Sequence, residues 1–123
     1  MIALELRRCT EINRSTVAMN DLECGQMLVE LSGWRIILVK GCKSLTKRFV
    51  FDGYRQALLF TKSIAAAAII ENHHPKIVLE YASVEVNWWT HSARGLHVND
   101  FVMAAKTDAT FLSIKEKLIE SSL

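Results

Sequence analysis

Proline is almost missing from this chain: there is one in 123 residues, Pro75, alongside five glycines. Such scarcity excludes collagen-like and Pro-rich low-complexity arrays. It also makes each Gly or Pro informative about where an element ends. Cysteine is scarce too. Cys9, Cys24 and Cys42 are odd in number, widely spaced and form no CxxC pair, which argues against a disulfide framework or a zinc module and for plain thiols in a reducing compartment. No apolar run approaches the length of a membrane span. The opening Met1-Ile2-Ala3-Leu4 meets Glu5, Arg7 and Arg8 at once, so a signal-peptide core is lacking. The expected location is the cytoplasm. Arg7, Arg8 and Arg14 leave organellar targeting open, with Glu5 and Glu11 against it. Charge of one sign does not accumulate either: 15 Lys and Arg are interspersed with 13 Asp and Glu. No basic stripe calls for nucleic acid.

What is abundant is apolar surface, 50% of residues. A chain of this length is expected to form one domain. The surplus points to a very full core or a buried subunit interface, hence a homodimer or homotetramer. Residues 1–19 show no sustained period and are expected to form a loosely packed arm, with a short extended piece over Ile2–Leu6. The domain proper then runs over 20–123.

Asn20-Asp21-Leu22-Glu23 is a capping-box pattern. It predicts a helix over Asp21–Leu31, closed by Gly33 as a left-handed cap. Trp34–Val39 and Leu45–Phe51 around the turn Lys40–Ser44 predict a hairpin. Asp52 is positioned to cap a helix over Gly53–Asn72. That helix is apolar around most of its circumference and is expected to be covered on more than one side. Pro75 is expected to stop it and to push His74 toward an extended backbone. Ile77–Tyr81 and Val84–Thr90 read as a second hairpin. His97-Val98-Asn99-Asp100 opens a last helix that continues through Phe101, Phe111, Ile114, Leu118 and Ile119, weakened midway by Thr107–Thr110. The order α-β-β-α-β-β-α predicts an α+β, two-layer fold: a four-stranded, mostly antiparallel sheet with helices packed on one face.

Three of the four histidines cluster in sequence context: His73-His74 before Pro75, and His91 at the end of a strand. Imidazole gives and takes protons near neutral pH. The helix C-terminus favours a charged ring at His73 or His74, while adjacency disfavours two charges. One charged and one neutral ring is what acid–base work needs, and a break at Pro75 would let both rings face one cavity. Plainer readings stand beside this. A His-His-Pro run also serves as a polar helix stop, His91 as a strand-end residue, Asp100 as a helix-start carboxylate and His97 as an exposed cap without further role. A three-histidine zinc site is a further reading. It ranks below proton transfer because no HxH or HxxxH spacing accompanies the rings.

Taken together, His73-His74-Pro75, Tyr81, His91 and Asp100 resemble the pterin-4a-carbinolamine dehydratase family. Leu31-Ser32-Gly33-Trp34, Phe49-Val50-Phe51, Thr90-His91, Gly95-Leu96 and Ala104-Ala105 extend the likeness over about residues 20–111. Ile69, Ile77 and Trp89 depart from the family pattern at the rim of the pocket. The resemblance implies dehydration of 4a-hydroxytetrahydrobiopterin to the quinonoid dihydropterin, in pterin recycling, without metal or other cofactor. It implies His73 and His91 as the main acid–base residues and His74 as a substrate-holding ring. It also implies Asp100 as a support, with Pro75, Thr90, Ser92 and Ala93 at the substrate. Members also serve as dimerisation partners of a transcription factor. The apolar helix would be the natural surface for that non-catalytic alternative.

Overall fold

The computed structural model describes residues 3–122, with side chains through residue 117. The elements are α1 (Asp21–Leu28), β1 (Arg35–Val39), β2 (Cys42–Val50), α2 (Tyr54–Glu71), β3 (Lys76–Leu79), β4 (Ser83–Trp88) and α3 (Val98–Ser122). Single 3-10 turns lie at Leu4–Leu6 and His91–Ala93. This is the expected α+β order. The sheet order is β1-β2-β4-β3, and every neighbouring pair is antiparallel. Among the described residues no helix is long and apolar enough to cross a membrane.

The capping box at Asn20 is formed. Its side chain accepts the Glu23 N–H, and the Glu23 carboxylate accepts the Asn20 N–H. Regular helix ends at Leu28, and two single-turn hydrogen bonds carry the chain to Leu31. The first hairpin turns on Lys40 and Gly41 alone, both with positive φ (52° and 80°). Two such residues make the tight turn whose twist matches the strands, so pairing begins at Cys42 rather than Leu45. On one face of the sheet lie Leu45, Phe49, Val84, Val86 and Trp88, all 2% exposed or less. Phe49, Phe51, Phe60 and Phe111 meet at ring-centroid distances of 4.8–6.0 Å, joining the sheet to α2 and α3.

Two expectations about α2 are corrected. Gly53, not Asp52, stands at its N-cap and makes no side-chain cap; the Asp52 N–H instead donates to Gln56 Oε1. Its end is set at Asn72, three residues before Pro75. Asn72 adopts the left-handed conformation (φ 51°), the Asn72 N–H donates to the Ile69 carbonyl, and the His73 N–H donates to the Ala68 carbonyl. This is a Schellman closure, and Asn tolerates its left-handed position. α2 buries only Ala57, Phe60, Ile64 and Ala68 in the single chain.

α3 is not weakened midway. Thr107 and Thr110 fold their hydroxyls back onto the Met103 and Lys106 carbonyls. Asp108 accepts from Trp34 Nε1 and Lys47. Leu118 and Ile119 lie outside the described side chains.

The arm is also corrected: it is docked, not loose. Leu4 is buried, within a 3-10 turn where an extended piece was expected; Ile2 lies outside the described residues. The Glu5 carbonyl accepts from Lys106, and the Met19 N–H donates to the Leu96 carbonyl. Ala18 crosses Gly95, where an added Cβ would sit 3.0 Å from the Ala18 Cβ.

Candidate active site

Three chain segments meet at one end of the sheet. The Schellman turn after α2 delivers His73 and His74. The loop after β4 is closed by a bridge between Thr90 and Gly95, with Arg94 left-handed, and it carries His91 and Ser92 on its 3-10 turn. The start of α3 supplies Asn99 and Asp100. Between them lies a cleft of about 630 Å³ lined by His73, His74, Trp89, Thr90, His91, Ser92, Glu71, Asn72, Asn99 and residues 9–12 of the arm.

His73 is buried, and its Nε2 lies 2.6 Å from Asp100 Oδ1. An ionised carboxylate can only accept, so Nε2 carries a proton and Nδ1 is left for the cleft. Asp100 is wholly buried and accepts two more hydrogen bonds on Oδ2, from Thr90 Oγ1 (2.8 Å) and the His97 N–H (2.9 Å). Trp88 stacks on His73, with planes 11° apart and centroids at 5.9 Å. Its Nε1 is held by Thr107. The ring of His73 is thus fixed on two sides.

His91 is exposed at the cleft, and its Nδ1 accepts from Trp89 Nε1 at 3.3 Å. In its neutral form it therefore carries its proton on Nε2. Trp89 does not fill the hollow between the histidines; it packs beside His91 (centroids 4.7 Å) as part of the wall. His74 is exposed and lines the same cleft. His97 acts as the helix cap, its Nδ1 accepting from the Asn99 N–H. Burial lowers its pKa against the raising influence of Asp100, with His73 adding to the lowering. A neutral ring suits that acceptor role.

Of the residues expected at the site, His73, His74, His91, Thr90 and Ser92 line the cleft, with Asp100 directly behind His73. Pro75 and Ala93 do not line it. Among the described residues no group of His, Cys, Asp and Glu side chains could hold a metal ion.

Sequence reasoning missed the arm's side of the cleft and its anchors. Glu71 accepts from the Cys9 N–H (2.7 Å) and Arg8 Nε (2.5 Å). Burial alone would raise the Glu71 pKa, but these donors and the positive charge of Arg8 outweigh it and hold it below the usual carboxyl value. The stabilisation this gives is present above the ordinary carboxyl range and lost as pH falls through the lowered value. Asn99, 2% exposed, accepts the Thr10 N–H on Oδ1 (2.9 Å) and donates Nδ2 to the Thr10 carbonyl (2.8 Å). Cys9 is pushed up to about 12, first by burial and then by the Glu71 carboxylate. It is a neutral thiol near pH 7, not a nucleophile. The only local signal for these contacts was the polar pair Glu71-Asn72 ahead of the histidines.

The fold and this cleft define a small α+β protein that gathers His73, His74 and His91 around one hollow. The pterin 4 alpha carbinolamine dehydratase family model matches residues 17–110, and the chain belongs to that family. A Saccharophagus degradans protein provisionally named pterin-4-alpha-carbinolamine dehydratase is 53% identical over 89 residues, covering 72% of this chain and 79% of that one. A Vibrio cholerae protein of the same provisional name is 43% identical over 86% of this chain and 97% of its own length. A crystal structure described as a transcriptional coactivator/pterin dehydratase from Brucella melitensis superposes with a TM-score of 0.69 at 31% identity, over 76% of this chain and 97% of that one. A pterin dehydratase-like protein described as a RuBisCO assembly factor in the alpha-carboxysome matches at a TM-score of 0.55 and 25% identity, over 64% and 89%.

Proposed function

We propose that this chain is a hydro-lyase that removes water from a 4a-hydroxytetrahydropterin, the dehydration step of tetrahydrobiopterin recycling. The observation that carries the reading is the buried His73–Asp100 pair at 2.6 Å, presented to a cleft that His74 and His91 also line. In the reaction the C4a–O bond breaks and the oxygen leaves as water. A proton leaves the neighbouring ring nitrogen, and the electron pair it releases forms the C4a=N double bond. No electrons enter or leave, so two positioned imidazoles suffice. His73 is the base: Asp100 holds its Nε2–H, leaves Nδ1 to accept, and offsets the positive charge the ring acquires. His91 is the acid: its charged ring, with both nitrogens protonated and Trp89 Nε1 released, donates from Nε2 to the leaving oxygen and returns to neutral. His74 binds and orients the leaving hydroxyl.

The test is turnover of the carbinolamine by purified protein beside His73→Ala and His91→Ala. Each variant is expected to lose about a hundred- to ten-thousand-fold in kcat. Equal rates in all three proteins would overturn the assignment.

A second reading is favoured by one observation. α2 leaves Tyr54, Leu59, Ile69 and Ile70 between 48% and 73% exposed, and two structural relatives are described as a coactivator and an assembly factor. On that reading the chain is a non-catalytic assembly partner. Wild-type protein that neither binds pterin nor turns over the carbinolamine would favour it.

A further inference from the structure

The proposed reaction leaves one side of the cleft without a task. Cys9, Thr10, Glu11 and Ile12 line it, and they precede the segment that the family model matches, residues 17–110. Two side chains from different helices hold this strip by its backbone. Glu71 takes the Cys9 N–H, and the Asn99 amide bonds both the N–H and the carbonyl of Thr10. Fixing two consecutive residues in this way places the next two, Glu11 and Ile12, against the cleft.

Three carboxylates stand at or behind this cleft. Asp100 is committed to His73, Thr90 and His97. Glu71 is committed to Arg8 and Cys9. Glu11 has no partner among the described residues. A pterin presents, at its aminopyrimidinone end, two adjacent N–H donors: the 2-amino group and N3–H. That fork matches the two oxygens of a carboxylate.

Resting on the pterin reading of the cleft, we propose that residues 9–12 form a substrate-recognition wall. In it the Glu11 carboxylate accepts the paired N–H groups of the pterin's aminopyrimidinone end, while Glu71 and Asn99 are positioning residues that hold the wall in place. The arm then sets affinity, and His73 and His91 carry the proton transfers.

The experiment uses the full chain and two unreactive probes: biopterin, and its analogue with oxygen in place of the 2-amino group. Calorimetry gives Kd for each. Wild type is expected to prefer biopterin. Glu11→Gln, a surface change that leaves the fold intact, is expected to weaken biopterin about fivefold, the loss of a charged hydrogen bond at a partly exposed site. It should leave the 2-oxo analogue nearly unchanged. Glu71→Gln is expected to speed amide exchange at Cys9 and to raise KM for the carbinolamine, with the change confined to KM. An unchanged biopterin Kd in Glu11→Gln, beside a wild type that binds it, overturns this inference and leaves the dehydratase reading standing. A wild type that binds neither probe overturns both.

Discussion

Asp100 sits where three donors meet: the His73 ring, the Thr90 hydroxyl and the His97 backbone N–H. A wholly buried carboxylate would be costly without them. In Asp100→Asn the amide NH₂ takes the place of one accepting oxygen: facing the His97 N–H it leaves that donor unpaired, and facing His73 it forces the tautomer with Nε2 accepting and the proton on Nδ1. The expected stability loss is about 2–3 kcal/mol, read from urea unfolding. The expected fall in kcat, measured on the folded fraction, is about a hundredfold, because His73 no longer has a carboxylate to hold its Nε2–H. A folded variant with wild-type kcat would remove Asp100 from the mechanism. The sequence placed Asp100 correctly in the first turn of α3, since helix starts favour carboxylates. That the same side chain spans from that turn to His73 follows only from folding. The Trp89–His91 bond was more legible: Thr90 between them is extended (φ −111°, ψ 104°), so residues two apart share one face and their rings can meet.

At the scale of elements, periodicity and caps located α1 to α3 and β1 to β4, while misreadings fell at element ends, midway along α3 and in the arm. Asn20 and Glu23 announced α1 through a contact only three residues long. The sequence puts the end of α2 at about Asn72, and it lies there, but assigns the cause to Pro75, whereas Asn72 itself closes the helix by taking the left-handed conformation. The arm carried no readable signal. It has no period, and its partners Glu71, Asn99, Leu96 and Lys106 lie far along the chain. Because His73 follows Asn72 directly, the cap and the site share a backbone. Asn72→Val puts a β-branched residue into that conformation, at a cost of about 1–2 kcal/mol. Asn72→Gly relieves the Cβ strain and is expected to keep stability within a few tenths of a kcal/mol. Thermal melts of the two variants provide the comparison. The valine variant should also lose turnover through a displaced His73, and equal stability of the two would mean that the Schellman turn does not fix this end.

For the whole molecule, the open question is what covers the second face of α2. At about 100° per residue, the buried Ala57, Phe60, Ile64 and Ala68 fall within one narrow arc, while the exposed Leu59, Ile69 and Ile70 fall on the other side of the helix and Tyr54 at the margin of the buried arc. Scattered apolar residues on a surface are ordinary, but a row along one helix face is a docking pattern. Four side chains alone do not supply the roughly 800 Å² per partner of a stable interface. The contact must also recruit the exposed Ala65 and Ala66 between them, whose small size lets a second helix approach closely. A second copy of the chain presents the same face and satisfies the symmetry of a two-fold contact. We therefore expect a dimer or a dimer of dimers in solution. Light scattering at micromolar concentration should return the mass of two or four chains. The double change Leu59→Lys and Ile70→Lys, both solvent-facing in the single chain and outside the cleft, should shift it toward one chain without unfolding it, because burying two ammonium groups against the partner is far costlier than leaving them wet. A wild-type protein that scatters as a monomer would leave this face without a partner of its own kind, and a double variant that stays assembled would place the interface elsewhere, at the free edges of β1 or β3.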